Sequence, residues 1–246
     1  MFEADVPRHK IGYLSPLSII DNSAYEWYRL APPGYMAVMI PIGLSEFSAR
    51  DVDRVFGPID SILDQLMGRG IELTLQAGTP LATLMGVDAH YRLLAHIEKR
   101  TGKPATSTTM GVVRSAKAMG LKNVALVNKW SVPMNKVLAE FFARDGISVC
   151  GASTKELAPA DFVKIETGDH IRLCYELSKQ ALRENPDCDG LYIGGGTWLS
   201  EPVTRHLEKE TSKTIICNQT AQIWDIMHIL NDWKPIPGHN KLLATP

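Results

Sequence analysis

The chain nearly repeats itself, and this repeat constrains its fold more than any other feature of the sequence. The segment HIEKRTGK at 96–103 returns as HLEKETSK at 206–213, and the turn GTPL at 78–81 ahead of the first copy returns as GTWL at 196–199 ahead of the second. Each copy reads as an apolar strand, a Gly-Thr turn, a helix and a short strand. This duplication predicts two similar α/β halves that face each other across a cleft.

Apolar runs of strand length alternate with segments of helical periodicity along the chain. Strands are predicted at 10–14, 35–40, 71–76, 104–106, 123–127, 147–150, 190–193 and 214–217. Helices are predicted at 48–67, 88–100, 111–119, 133–144, 167–184, 201–210 and 220–230. The alternation predicts an α/β fold with parallel sheets. We expect residues 1–112 to form the first half, residues 221–246 to complete it, and residues 113–220 to form the second half. The tail from residue 233 is expected to be irregular.

Composition limits the classes of partner. The 246 residues, 45% of them hydrophobic, are enough to bury one or two cores, and the net charge of −1 gives no electrostatic footprint for nucleic acid or an anionic membrane. The sequence has no stretch near the roughly 20 apolar residues of a membrane span and no apolar signal segment in Met1–Lys10. We therefore expect a cytoplasmic protein that binds a small molecule. Whether the chain is a monomer or a homo-oligomer is left open.

The cysteines indicate neither a metal site nor a disulfide scaffold. They lack CxxC spacing and a histidine partner at metal-ligand spacing, and they are Cys150, Cys174, Cys188 and Cys217. We interpret all four as reduced thiols and expect no metal.

In open parallel sheets, ligands bind beyond the carboxyl ends of the strands. Here the turns at those ends are rich in glycine and hydroxyl residues, with the sequences SPL at 15–17, QAGTP at 76–80, STT at 107–109, NKWS at 128–131, GGGTW at 194–198 and CNQT at 217–220. Free amides and hydroxyls at helix starts suit carboxylate oxygens, so Thr79 and Thr197 could hold two ends of a dicarboxylic acid. The alternative is that these residues only cap helices. A dinucleotide fingerprint would need glycine in place of Leu199, and no cofactor is expected.

The motifs IGYLSP, GIELTLQAGTPL, ALVNKW, DGLYIGGGTWLS and IWD follow one another over nearly the whole chain. Their order and spacing resemble the aspartate/glutamate racemase superfamily, and within it the arylmalonate decarboxylases and maleate isomerases. The resemblance implies two pseudo-symmetric Rossmann-like halves with a ligand cleft between them, and cofactor-free proton chemistry at the carbon beside a carboxylate. It also implies a cysteine from each half in the racemases, and only the second of them in the decarboxylase.

This chain departs from that pattern because both cysteine positions hold glycine. Gly78 stands at the first position, and Gly195 or Gly196 stands at the second. Racemisation with two bases, or isomerisation through a thiol adduct, is therefore disfavoured. Trp130 stands where the decarboxylase pattern carries a tyrosine. The residues expected to bind substrate are Pro16, Leu17, Gly78, Pro80, Asn128, Trp130, Gly195, Gly196, Trp198 and Asn218.

Four residues are candidates for the chemistry itself. Thr79 and Thr197 could stabilise a developing oxyanion. Cys217 ends a strand and matches Ser107 of the first repeat, and its alternative is a small buried hydrophobe. Lys129 could serve as a base or a Schiff-base nucleophile if desolvated, and its alternative is a solvated lysine. His170 reaches the cleft only if the loop before it folds over.

The sequence thus predicts a cofactor-independent carbon–carbon lyase of decarboxylase type. It would act on a small organic mono- or dicarboxylic acid through an enolate-type intermediate, which water or Cys217 then protonates. The alternatives are an isomerase or hydrolase that uses the same oxyanion site, and a carboxylate-binding module without catalysis. Measurable affinity for dicarboxylates with slow or absent turnover would indicate the binding module.

Overall fold

The computed structural model describes residues 6–162 and 164–245. In its first half, strands alternate with helices. These elements are β1 (His9–Ser15), α1 (Asn22–Leu30), β2 (Tyr35–Pro41), α2 (Ala49–Phe56), α3 (Ile59–Gly68), β3 (Leu73–Gln76), α4 (Thr79–Met85), α5 (Val87–Thr101), β4 (Ala105–Ser107) and α6 (Thr108–Ala118).

The second half repeats this arrangement. Its elements are β5 (Asn123–Asn128), α7 (Val132–Arg144), β6 (Ser148–Thr154), α8 (Pro159–Phe162), α9 (Thr167–Glu184), β7 (Gly190–Ile193), α10 (Ser200–Thr211), β8 (Thr214–Cys217), α11 (Asn218–Ile229) and α12 (Lys241–Ala244).

Each half contains a four-stranded parallel sheet, and the two sheets have the same topology. The strand orders are β2-β1-β3-β4 and β6-β5-β7-β8. The turn that begins at Gly78 therefore follows the third strand of the first sheet, and the turn at Gly196 follows the corresponding strand of the second. This equivalence confirms the predicted α/β fold of two pseudo-symmetric halves.

Helices α6 and α11, which follow the fourth strand of each sheet, pack against the opposite half. Ile223 and Ile226 of α11 belong to the same buried cluster as Ile11 and Leu73 of the first sheet. Val112 of α6 lies in a cluster with strand β5 of the second sheet. This exchange holds the halves together through apolar burial. The predicted domain boundaries, at residues 112 and 220, stay a prediction.

An ion pair between the buried Asp225 and the partly exposed Arg114 strengthens the contact between these two helices. The Asp225 carboxylate on α11 accepts hydrogen bonds from Arg114 Nε at 2.6 Å and from its terminal nitrogen at 2.7 Å. It also accepts one from the Thr106 hydroxyl of β4 at 2.7 Å. Such a bidentate pair fixes geometry as well as energy. These hydrogen bonds therefore fix the position of α11 relative to α6 and β4.

Some predicted elements differ from the structure. The single helix expected over 48–67 is two helices, because Pro58 has no N–H for the helical ladder and α3 begins only at Ile59. Helices α1, α4 and α8 are missing from the prediction. The tail expected to be irregular contains α12, whose first turn is capped by Asn240. Within residues 6–162 and 164–245, no helix is long and apolar enough to span a bilayer.

Candidate functional site

A cavity lies between the two halves at the carboxyl ends of β1, β3, β5, β7 and β8. Parallel strands place the turns after them at one edge of the sheet, so residues far apart in the sequence converge here. The lining residues are Tyr13, Ser15, Pro16, Leu17, Ile19, Asp21, Ser23, Leu44, Phe47, Ala77, Gly78, Pro80, Lys129, Trp130, Phe162, Gly195, Gly196, Thr197, Asn218 and Gln222.

Lys129 is the buried cationic side chain of this cavity. It follows the apolar strand β5, and only 1% of it is exposed. Its Nζ atom donates a hydrogen bond to Thr197 Oγ1 at 2.6 Å. The same Nζ lies 4.4 Å from the centroid of the Phe162 ring and 4.6 Å from that of the Trp198 ring. Two aromatic faces and one hydroxyl therefore surround the amine, and the alternative of a solvated lysine is wrong.

This environment changes the protonation of Lys129. Burial lowers the pKa of its amine to about 7, while the Cys174 thiol and the Asp21 carboxylate act in the opposite direction. Burial also lowers the pKa of His170, and the nearby positive charge of Lys129 lowers it further. Near neutral pH, Lys129 thus exists as both amine and ammonium.

Thr197 belongs to a turn in which glycine is required by the packing. Gly195 has a φ of +127°, and a side chain on it would collide with the indole of Trp198. The Thr197 carbonyl accepts a hydrogen bond from Asn22 Nδ2 at 2.9 Å, which ties the turn to α1 of the first half. The Thr197 hydroxyl is therefore held at the cavity beside Lys129.

The matching turn of the first half is arranged differently. The Thr79 hydroxyl lies 2.8 Å from the Tyr192 hydroxyl, which in turn donates to Asn218 Oδ1 at 2.6 Å. The Gly78 amide donates to Thr108 Oγ1 at 2.9 Å. Both polar groups thus already have protein partners, and Thr79 does not line the cavity. The two Gly-Thr turns occupy corresponding positions in the two sheets but differ in their polar contacts and in their backbone, since α4 begins at Thr79 whereas α10 begins only at Ser200.

The structure brings most of the predicted site residues together. Those that line the cavity are Pro16, Leu17, Gly78, Pro80, Lys129, Trp130, Gly195, Gly196, Thr197 and Asn218. Four lie behind this lining, and they are Thr79, Asn128, Trp198 and Cys217. Of these four, Trp198 contacts Lys129, as described above.

Cys217 and Asn128 face away for different reasons. The Cys217 side chain packs in an apolar cluster with Val127 and Ile193, and its Sγ lies 3.3 Å from the Thr220 hydroxyl oxygen. Burial raises the pKa of this thiol to about 11. The Asn128 side chain is hydrogen-bonded to Asn135 at 2.7 Å. Within the described residues, no cysteine lines the cavity.

Several residues that line the cavity are not among those predicted from the sequence. Phe47 and Phe162 form part of the apolar wall, with ring centroids 5.8 Å apart. Neither belongs to the repeat, so no sequence signal marked them. His170 does not line the cavity, but its Nε2 donates to the carbonyl of Phe162 at 3.0 Å and so contacts a residue of the cavity wall. Gln222 of α11 also lines the cavity and donates to Thr108 Oγ1 at 2.6 Å.

The side chains that could coordinate a metal ion are those of histidine, cysteine, aspartate and glutamate. Among residues 6–162 and 164–245, no group of three or more His, Cys, Asp or Glu side chains could hold an ion. The cavity lining contains instead the Lys129 amine, a largely apolar wall, the Asp21 carboxylate and the hydroxyls of Tyr13, Ser15, Ser23 and Thr197. These groups can stabilise negative charge and transfer a proton.

Comparison with known proteins gives the site a family context. The chain is 23% identical over 206 residues to arylmalonate decarboxylase from Bordetella bronchiseptica, covering 82% of this chain and 83% of that protein. Its fold is similar to that of the maleate isomerase Iso from Pseudomonas putida S16, with a TM-score of 0.84, 17% identity, and coverage of 96% of this chain and 98% of that one. A liganded double mutant of arylmalonate decarboxylase gives a TM-score of 0.83 at 19% identity, covering 97% and 100% of the two chains.

The family model for arylmalonate decarboxylase matches residues 33–243. This range contains every strand except β1, and every turn that lines the cavity except the one that follows β1. The match thus extends over far more than half of the chain. We conclude that this chain belongs to the arylmalonate decarboxylase family.

Proposed function

We propose that this protein is a cofactor-independent carbon–carbon lyase that removes carbon dioxide from a small carboxylic acid. The observation that carries the proposal is the position of Lys129, buried in the cavity and hydrogen-bonded to Thr197 at 2.6 Å. Thr197 directly follows Gly195 and Gly196, where the family resemblance places a cysteine. Lys129 therefore supplies a titratable group at the point where the chain lacks the thiol.

Decarboxylation leaves an electron pair on the carbon that lost the carboxylate. This charge must be delocalised onto a neighbouring oxygen or nitrogen and stabilised there. A positive group at Lys129, together with the Thr197 hydroxyl, can stabilise it, and the burial of Lys129 strengthens this electrostatic interaction. The apolar wall formed by Leu17, Phe47 and Phe162 would weaken solvation of the leaving carboxylate, which favours loss of carbon dioxide.

The alternatives lack a comparable observation. Maleate isomerases share the fold, and a solved Nocardia farcinica relative carries a covalent succinylcysteine intermediate. In the described part of this chain the cavity has no cysteine that could form such an adduct. A binding module without catalysis remains distinguishable by experiment, because it would bind carboxylic acids and leave them unchanged.

The test measures carbon dioxide release from a panel of substituted malonic acids and 3-oxo carboxylic acids. We compare the wild type with Lys129→Met and with Lys136→Met, a matched change at an exposed lysine on α7. We expect activity on at least one acid, its loss in Lys129→Met, and no change in Lys136→Met. Affinity for these acids without release of carbon dioxide would contradict the proposal and favour the binding module.

A further inference from the structure

The surroundings of the Lys129 amine favour its neutral form. In the described part of the chain, the hydrogen-bond partner of Nζ is the Thr197 hydroxyl, and no carboxylate oxygen forms an ion pair with it. Asp21 lines the same cavity, but it is exposed and binds the backbone amide of Asn22. A buried ammonium without a counter-ion is costly, and loss of its proton relieves that cost.

The neutral amine is therefore abundant under ordinary conditions. With its pKa lowered by burial to about 7, a substantial fraction of Lys129 is unprotonated near neutral pH. A solvated lysine would be unprotonated in roughly one molecule in a few thousand. The unprotonated amine is a nucleophile, and here it faces a cavity rather than bulk water.

From this geometry we infer that Lys129 forms a Schiff base with the ketone group of its substrate, and that the substrate class is a 3-oxo carboxylic acid. This inference rests on the proposed function and specifies how the charge left by carbon dioxide is delocalised. A malonic acid offers only carboxyl carbons to the amine, whereas a 3-oxo acid offers a ketone carbon at the position that must accept the electrons.

The first step is attack of the amine on the ketone, and Thr197 can transfer the proton that this step requires. The Lys129 nitrogen forms a bond to the ketone carbon, and the carbonyl π electrons move to its oxygen. The Thr197 hydroxyl, 2.6 Å from Nζ, can relay the proton from nitrogen to that oxygen. The carbinolamine oxygen then takes up one proton from solvent and leaves as water, and the lone pair of the nitrogen forms the C=N bond of an iminium cation. The faces of Phe162 and Trp198, both within 4.6 Å of Nζ, stabilise this cation as they would the ammonium.

The lyase step follows from the iminium. The bond between the α-carbon and the carboxylate breaks, carbon dioxide leaves, and the electron pair forms an enamine with the iminium nitrogen as acceptor. Water then protonates the enamine carbon, and the resulting hydroxide adds to the iminium carbon. Collapse of this carbinolamine releases a ketone and restores the amine. The net reaction consumes one proton and needs no oxidant or reductant.

Borohydride trapping tests the inference directly. Wild-type protein is incubated with acetoacetate or benzoylacetate, reduced with sodium borohydride, and its intact mass and peptide masses are measured. We expect one ketone-derived adduct on Lys129, the same adduct in Lys136→Met, and none in Lys129→Met. Absence of a Lys129 adduct from a protein that releases carbon dioxide overturns the inference and leaves the proposed function standing.

Oxygen exchange gives a second test that needs no variant. During decarboxylation of a 3-oxo acid in ¹⁸O-labelled water, a Schiff base requires the ketone product to carry solvent oxygen. The product must be sampled faster than its uncatalysed exchange, with a protein-free reaction as control. Retention of the original oxygen rules the Schiff base out. A trapped adduct on Lys129 without carbon dioxide release from any acid would contradict the proposed function instead.

Discussion

The Thr79 hydroxyl lies 2.8 Å from the Tyr192 hydroxyl, so a turn of the first half is bonded to a strand of the second. Its counterpart in the repeat, Thr197, is bonded to Lys129 and lines the cavity. The two threonines therefore have different roles although they occupy corresponding positions in the repeat. Thr79 joins the halves, whereas Thr197 presents its hydroxyl at the candidate site.

This difference predicts opposite effects for the same substitution. Thr197→Val removes a hydrogen bond at the reacting groups and should lower kcat/KM by about 10- to 100-fold, which corresponds to roughly 1–3 kcal/mol. Thr79→Val should leave kcat/KM nearly unchanged and lower the free energy of unfolding by about 1 kcal/mol. Steady-state kinetics and denaturant unfolding of both variants check this. Equal kinetic losses in the two would contradict the assignment.

The buried amine of Lys129 predicts a pH-dependent stability. Its pKa is about 7 in the folded protein and near its ordinary value of 10.5 in the unfolded chain, so the unfolded state binds more protons between these values. Stability of the wild type should therefore rise by a few kcal/mol relative to Lys129→Met as the pH rises from 7 to 10.

Urea unfolding at several pH values measures this difference. The ionisation of other lysines and tyrosines is common to both proteins and cancels in the comparison. Lys136→Met, which alters an exposed lysine, should follow the wild type. A constant difference between Lys129→Met and the wild type over this range would show that the amine is not desolvated.

Restoring a cysteine should have different outcomes at the two glycines that precede Thr197. At Gly195 the φ of +127° and the Trp198 indole leave no room, so Gly195→Cys should unfold at lower denaturant concentration. At Gly196 an added Cβ would lie 3.1 Å from Gln219 Nε2 and 3.7 Å from Ser23 Cβ, which a small side-chain shift accommodates.

Gly196→Cys should therefore fold and place a thiol at the cavity. We expect this variant to gain carbon dioxide release from phenylmalonate, because the thiol can protonate the carbanion. Gly196→Ala is the matched control, since it adds the Cβ without the thiol. Equal activity of the Cys and Ala variants on phenylmalonate would mean that position 196 does not face the reacting carbon.

The sequence predicted the architecture well because the signal for it is local. Strand length, helical periodicity and the repeat each depend on residues close in the chain. The break at Pro58 was missed because the apolar stripe continues through it. Helix α4 was missed because it is a single short element that begins within the Gly-Thr turn.

The contacts of the site were harder to predict because they are long-range. Burial of Lys129 depends on Phe162 and Trp198, which lie far along the chain, and no local pattern pairs them. The repeat suggested equal roles for Thr79 and Thr197, yet their partners Tyr192 and Lys129 have no counterparts in the other half. Sequence similarity between the repeats preserves the position of the turn after the third strand of each sheet, and it says little about the conformation of the turn or its side-chain partners.

Glu26 gives a last prediction, away from the cavity. It is 2% exposed, and its Oε1 accepts a hydrogen bond from the Glu201 amide at 2.8 Å at the start of α10. Burial raises its pKa to about 8, and the Glu201 amide hydrogen bond opposes this rise. The folded state then binds more protons than the unfolded state between pH 4.5 and 8, so stability should fall as the pH rises through this window.

Glu26→Gln should remove this dependence, because the amide keeps an acceptor for the Glu201 N–H and carries no charge. We expect the variant to gain a few kcal/mol of stability relative to the wild type between pH 5 and pH 8. Glu176→Gln, at an exposed position on α9, is the matched control and should show the slope of the wild type. Parallel stability curves for Glu26→Gln and the wild type would mean that Glu26 is ionised in the folded protein throughout this range.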